Sequence, residues 1–312
     1  MEIVAKFGYE DLAVLYVGKK NEKYVEFVES TQPPIPREEK WVLIISTMYG
    51  CPVGCPMCDA GSYYKGKMTT EEMFEQIDYL VKQRYPKGEI PAKKFKIQFA
   101  RMGEPVLNPN VLTVIEQLPE RYDAPGLMPC ISTIAPRKGT AFMEKLLNIK
   151  KKQYTNGRFQ LQFSIHTTDE KIREKVIPYK KWSLKEIAEY GKRFYEEGKK
   201  ARKITLNFAA EKENPIEIEK IVELFDPETF LIKLTPINPT EQVKTRKLES
   251  LIDPEKERVA QKIVAAFEKE GFQTILSIGE LEENKIGSNC GQHALKFENG
   301  QYRIEQYMPF QD

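Results

Sequence analysis

Three cysteines stand within one short stretch, Gly50-Cys-Pro-Val-Gly-Cys-Pro-Met-Cys-Asp59, at the spacing C-x3-C-x2-C. Thiolates so close in sequence can hold three corners of one inorganic unit, and sulfur donors favour zinc or an iron–sulfur cluster. A structural zinc is tetrahedral, and its four ligands usually come as two paired halves. No second half lies nearby. Three ligands suit a 4Fe–4S cluster with one iron left open to a small molecule. The prolines and glycines between the cysteines make the tight loop that wrapping a cluster needs. Cys51, Cys55 and Cys58 are therefore the candidate metal ligands.

Further polar residues follow apolar, strand-like runs. Glu104 sits in Phe99-Ala-Arg-Met-Gly-Glu-Pro-Val-Leu-Asn108. Its carboxylate can accept from an ammonium group, and Gly103 before it lets the backbone come close to a ligand. Ser132, Ser164 and Asn238 close three later runs, where small hydroxyl and amide groups suit carboxylate and ribose recognition, although serine there also serves as a helix cap. His166 reads as a structural histidine. Cys290, in Gly287-Ser-Asn-Cys-Gly-Gln292, lies in a glycine-flanked loop and is a candidate nucleophile.

These residues need a scaffold. Residues 11–17 and 22–29 read as two strands of a hairpin turning at Gly18–Asn21. Trp41–Thr47 is a buried-strand run that leads straight into the cysteines. Thr69-Thr-Glu-Glu72 reads as a capping box opening a helix to about Gln83. Strand-like runs then recur at 95–101, 128–133, 159–166, 204–208, 230–235 and 274–278. Helical patterns lie at 109–118, 140–149, 184–197, 214–224 and 253–270. Alternating β and α elements imply a parallel sheet. With no Rossmann glycine fingerprint, the expected fold is α/β, an incomplete TIM-like (β/α)6 barrel with chemistry at the C-terminal strand ends. The expected parts are an N-terminal β-hairpin extension over 1–39, the partial barrel over 40–280, and an active-site loop with a β-hairpin over 281–312. That hairpin would turn at Asn299-Gly300.

Composition sets outer bounds. The chain has 312 residues, formal net charge +2 and five cysteines. Three cysteines in one loop do not make a disulfide framework. No apolar run reaches the roughly 20 residues of a membrane span, and no signal-peptide core opens the chain. The expected location is the cytoplasm, whose reducing conditions suit an oxygen-sensitive cluster. The basic runs Lys150–Lys152 and Lys199–Lys203 can meet phosphates but read more simply as solvated helix ends.

The cysteine spacing resembles the signature of the radical S-adenosylmethionine (SAM) enzymes. Gly-Glu-Pro at 103–105, Ser-Thr at 132–133, Ser-x-His at 164–166, Pro-x-Asn-Pro at 236–239 and Cys-Gly-Gln at 290–292 extend that resemblance to the RlmN/Cfr branch, from about Leu12 to Leu295. Those proteins are methyltransferases acting on adenine carbons of RNA. The resemblance implies a 4Fe–4S cluster on Cys51, Cys55 and Cys58, and SAM contacts from Gly103, Glu104, Ser132, Ser164 and Asn238. It implies that Cys290 carries the methyl group and that Glu26 is a general base. An unactivated sp2 carbon would then be methylated through methylated Cys290 and a 5′-deoxyadenosyl radical. An electron donor such as flavodoxin or ferredoxin is implied as a partner.

The sequence departs from that branch at several places. Ile44 stands where the branch has a resolving cysteine. About forty residues that read as strands stand where it has a helical RNA-engaging domain. Met57 replaces a usual aromatic. Two other readings stay open: a radical SAM reaction on a non-RNA substrate by direct hydrogen abstraction, and a non-catalytic Fe–S redox protein.

Overall fold

The N-terminal residues form three antiparallel strands in the computed structural model, β1 (Glu2–Tyr9), β2 (Ala13–Lys20) and β3 (Lys23–Ser30). The expected hairpin is thus one strand short. Its turn also moves from Gly18–Asn21 to Asn21-Glu22, which both have positive φ (49° and 57°), the geometry of a tight two-residue hairpin turn. Gly18 to Lys20 stay paired with β3 instead, Gly18 opposite Val25 and Lys20 opposite Lys23. A side chain at Gly18 would meet Met1, its Cβ lying 2.3 Å from the sulfur.

The structure describes residues 1–31, 33–198, 200–253, 258–278, 286–287 and 292–301. They divide into two compact units. The first comprises Met1–Gly54, Cys58–Ile131 and the described residues after 280; the second comprises Cys55–Met57 and Ser132–Gly279.

In the first unit β3 pairs antiparallel with β4 (Trp41–Ile45), Val28 opposite Ile44. Next come β7 (Phe95–Phe99) and β8 (Leu127–Thr133), joined in parallel, Ile45 opposite Phe99 and Phe99 opposite Ile131. The apolar run of β4 is buried at four of its five residues, as a strand covered on both faces requires. A small antiparallel pair, β5 (Met48–Gly50) and β6 (Tyr64–Lys67), brackets the cysteine loop. Helix α1 (Thr70–Arg84) opens on the expected capping box, Thr69 with Glu72; α2 spans Asn110–Arg121.

The second unit holds the parallel strands β9 (Gln160–Ser164), β10 (Ile204–Ala210), β11 (Phe230–Pro236) and β12 (Thr274–Leu276), side by side in chain order. Helices alternate with them: α3 (Thr140–Gln153), α4 (Glu170–Val176), α5 (Leu184–Phe194), α6 (Ile218–Leu224), α7 (Glu241–Arg246) and α8 (Arg258–Lys269). The fold is α/β with mostly parallel strands. Short α4 and α7 were not anticipated, since their sequences are largely charged. No helix among the described residues is long and apolar enough to cross a membrane.

The C-terminal hairpin is a correction. Gln292–Glu298 is a helix, α9. Asn299-Gly300 ends it: Gly300 has φ +63°, and the Gln301 amide donates to the Lys296 carbonyl at 2.9 Å. A glycine with positive φ terminates a helix as readily as it turns a hairpin. The dipeptide signal was therefore ambiguous between the two.

Candidate active site

The cysteine loop is built from its two ends inward. Gln76 and Asn108 are fully buried. Gln76 exchanges hydrogen bonds with the Ser46 backbone at 2.9 and 3.0 Å. Asn108 donates from Nδ2 to the carbonyls of Thr47 (2.8 Å) and Met68 (2.9 Å), tying the start of the loop segment to its end. Between them the Cys51 amide donates to the Tyr63 carbonyl at 2.9 Å. Gly50 has φ +76°, and a Cβ there would lie 2.1 Å from the Tyr63 oxygen. Sequence reading missed Gln76 and Asn108, because an amide marks no chemistry until its burial is known.

Cys51, Cys55 and Cys58 are half-buried, and none of the described cysteines forms a disulfide. Burial chiefly pushes the Cys51 thiol up to about 12, and the Cys58 thiol is raised by burial too. Yet backbone N–H groups are aimed at both sulfurs, from Val53 and Glu104 on Cys51 and from Gly61 and Ala60 on Cys58. Such donors favour the thiolate and are the outer contacts that tune iron–sulfur ligands. Among the described residues no three metal-binding side chains gather tightly enough for a single ion. The donor set fits a 4Fe–4S cluster.

Glu104 lies in the same unit, its amide on Cys51. Its Oε1 accepts from the Val106 amide at 3.0 Å, capping a short turn. Gly103 has φ +98°, and a Cβ would lie 2.6 Å from that of Met48 and 2.8 Å from Thr47 Oγ1. Its bare Cα thus serves a close approach to Thr47 and to Met48 at the start of β5.

Ser132, Ser164 and Asn238 belong to the second unit, all half-buried. Ser132 Oγ accepts from Gln162 at 3.2 Å, and Ser164 ends β9 opposite Asn207 of β10. The Asn238 carbonyl accepts from the Thr240 amide at 2.8 Å. Buried Thr240 donates in turn to the Met57 carbonyl at 3.0 Å, holding the residue before the third cysteine. A cavity of about 290 Å³ opens beside it, lined by Pro56, Met57, Val176, Glu211, Asn214 and Leu248 among others. His166 accepts on Nδ1 from the Ala209 amide at 3.1 Å. Burial first, then Arg173, brings its pKa down to about 4. It is a neutral structural histidine, as expected.

Glu26 is fully buried on β3. Its Oε2 accepts from Arg101 Nε at 2.9 Å and from Arg101 Nη2, and its Oε1 accepts from the Ala294 amide at 2.7 Å. Arg101 carried no signal in the sequence; its meaning lies in a partner 75 positions away. Cys290 lies outside the described residues.

No family model matches the chain. Among curated proteins, a probable dual-specificity RNA methyltransferase RlmN of Thermus thermophilus is 26% identical over 308 residues, 94% of this chain and 78% of the relative. The dual-specificity RNA methyltransferase RlmN of Ruthia magnifica is 24% identical over 84% of this chain and 70% of its own. Among solved structures, a radical SAM methyltransferase from Sphaerobacter thermophilus superposes with TM-score 0.71 at 16% identity, over 93% of this chain and 80% of that one. The chain is thus similar to RlmN-type RNA methyltransferases along most of its sequence and to a radical SAM methyltransferase in its fold. A 4Fe–4S cluster and SAM are the cofactors that this similarity, with the cysteine donor set, points to. The fold also matches Streptococcus suis SuiB, crystallised with SAM, at TM-score 0.52 and 13% identity over 76% of this chain and 50% of that one.

Proposed function

We propose that this RlmN-like enzyme methylates an unactivated sp2 carbon, of adenine in RNA, with Cys290 as methyl carrier. The observation that carries the reading is the cysteine loop, with amide donors on the Cys51 and Cys58 sulfurs and Glu104 beside Cys51. Cys51, Cys55 and Cys58 would hold the cluster. Glu104, Ser132, Ser164 and Asn238 would orient SAM, with Gly103 setting the backbone that presents Glu104. When bound, cluster and SAM supply an electron, a methyl group and a 5′-deoxyadenosyl radical. Cys290, as thiolate, is a competent nucleophile for the methyl group. The chain's own contribution is positioning and the exclusion of side reactions. In this reading the parallel strands curve as a partial barrel, and the electron comes from a flavodoxin- or ferredoxin-like donor.

RNA is the proposed substrate because the curated relatives are RNA methyltransferases over most of their own length. The test is anaerobic reconstitution with SAM, a reductant and RNA, followed by assay of S-adenosylhomocysteine, 5′-deoxyadenosine and methyladenine. All three products are expected. Deoxyadenosine without S-adenosylhomocysteine, and no methyl group on Cys290 by mass spectrometry, would overturn the reading.

A further inference from the structure

We infer that the buried Glu26–Arg101 pair is a positioning clamp, holding the two stretches of chain between which Cys290 lies. The clamp acts on backbone. Glu26 Oε1 accepts from the Ala294 amide at 2.7 Å, and Arg101 Nη2 donates to the Gly287 carbonyl at 2.7 Å. Gly287 is three residues before Cys290 and Ala294 four after it. The ion pair joins its two halves, so both flanks are fixed to one buried unit with almost no exposure, Glu26 at 0% and Arg101 at 8%.

Independent contacts close the same base. His293 Nε2 lies 2.9 Å from the Ile286 carbonyl. A carbonyl only accepts, so the neutral ring carries its proton on Nε2. Gly287 makes room for that ring: its φ is +75°, and a Cβ would lie 2.7 Å from Nε2. His293 stacks on Phe7 of β1 at 4.6 Å, and Ile286 enters the apolar cluster of Phe7, Leu12 and Ala13. Beyond the clamp Tyr24 stacks on Phe297 at 5.2 Å, and its amide donates to Glu298 at 3.1 Å. The N-terminal strands thus form the platform on which both flanks rest.

This use of Glu26 competes with proton transfer. Both its oxygens already accept, one from a guanidinium and one from an amide, and a base needs a lone pair turned to its substrate. A charge-assisted pair of this kind is suited to fixing geometry, and reactions of this type are sensitive to misplacement of the attacking group.

The inference rests on Cys290 as methyl carrier, so the test has one arm that does not. Hydrogen exchange is read on peptides covering 286–298 of the reconstituted protein, wild type against Glu26→Gln and Ala294→Pro. The second variant removes the donor in a first helical turn, where proline is tolerated, and leaves the ion pair intact. Exchange in this segment is expected to rise about tenfold or more in both, with α1 and β2 unchanged. In parallel, methylation of Cys290 by SAM, read by mass spectrometry, is expected to fall about tenfold or more. Unchanged exchange in both variants overturns the clamp. So does an Ala294 amide that exchanges in the wild type like an unstructured one, a result that needs no variant to fold. Faster exchange with wild-type methylation overturns the positioning role. Glu26→Gln with normal exchange and normal methylation but no transfer to the acceptor would instead make Glu26 a base. Should wild-type Cys290 never take a methyl group, the proposed function fails while the exchange arm still decides the clamp.

Discussion

Cys51 and Cys58 are acids held where their anions are provided for. Burial raises both thiols, so without metal the loop keeps its protons, and cluster binding must expel them. Removing one sulfur leaves an iron without its thiolate. Cys55→Ala is therefore expected to lose the 4Fe–4S absorption near neutral pH and all SAM cleavage with it; retention of a full complement of iron would refute the ligand assignment. His166 is the opposite case, a base buried in its neutral form. Its folded pKa of about 4 lies below the ordinary value of 6.5, so it stabilises the fold fully above pH ~6.5 and loses that contribution as pH falls toward 4. The loss amounts to at most about 3 kcal/mol. Urea unfolding between pH 7 and 4 should show it, and His166→Asn, which tolerates the positive φ of 66°, should flatten that limb.

Elements were legible where one cause dominates. β4 and the strands from β7 to β11 carry buried apolar residues, and the longer helices between them repeat with helical period, so these appear in sequence with boundaries off by a few residues, whereas exposed β6 and charged α4 do not. β1 did not show, because most of it is only half-buried and its alternation is weak. Asn299-Gly300 was read as a hairpin because one backbone conformation serves two elements. In the site, the cysteine spacing was visible because cluster ligands must be near in sequence. Arg101, Gln76 and Asn108 were not, since they act through partners brought close only by folding. Two glycines test the backbone argument. Gly300 has positive φ but open space around it, so Gly300→Ala should cost only about 1 kcal/mol. Gly103 has φ +98° and also Met48 Cβ at 2.6 Å, so Gly103→Ala adds a clash that backbone shifts must relieve, and should cost about 3 kcal/mol or more. Equal melting temperatures for the two variants would contradict this account.

At the scale of the whole molecule, the proposed mechanism requires the product to leave Cys290, a step for which the branch uses a second thiol. The branch resolves its covalent adduct with a cysteine at the position of Ile44. Here Ile44 packs against the apolar cluster of Phe7, Leu15, Val17 and Val28, so β4 offers a hydrocarbon side chain where the branch has sulfur. The cysteine remaining outside the cluster loop, besides Cys290, is Cys130. It is 4% exposed in the middle of β8, and its thiol donates to the Met128 carbonyl at 3.4 Å. A thiol so enclosed behaves as a small core residue; thiolate formation there would cost desolvation, and disulfide exchange needs the thiolate. Cys130→Ser, whose hydroxyl can keep the bond to Met128, is accordingly expected to turn over at the wild-type rate and to lose about 1 kcal/mol of stability or less. Disulfide mapping of wild-type protein after reaction should find no Cys130–Cys290 bridge. A bridge, together with accumulation of substrate adduct on Cys290 in the Cys130→Ser protein, would show that β8 supplies the resolving thiol after all.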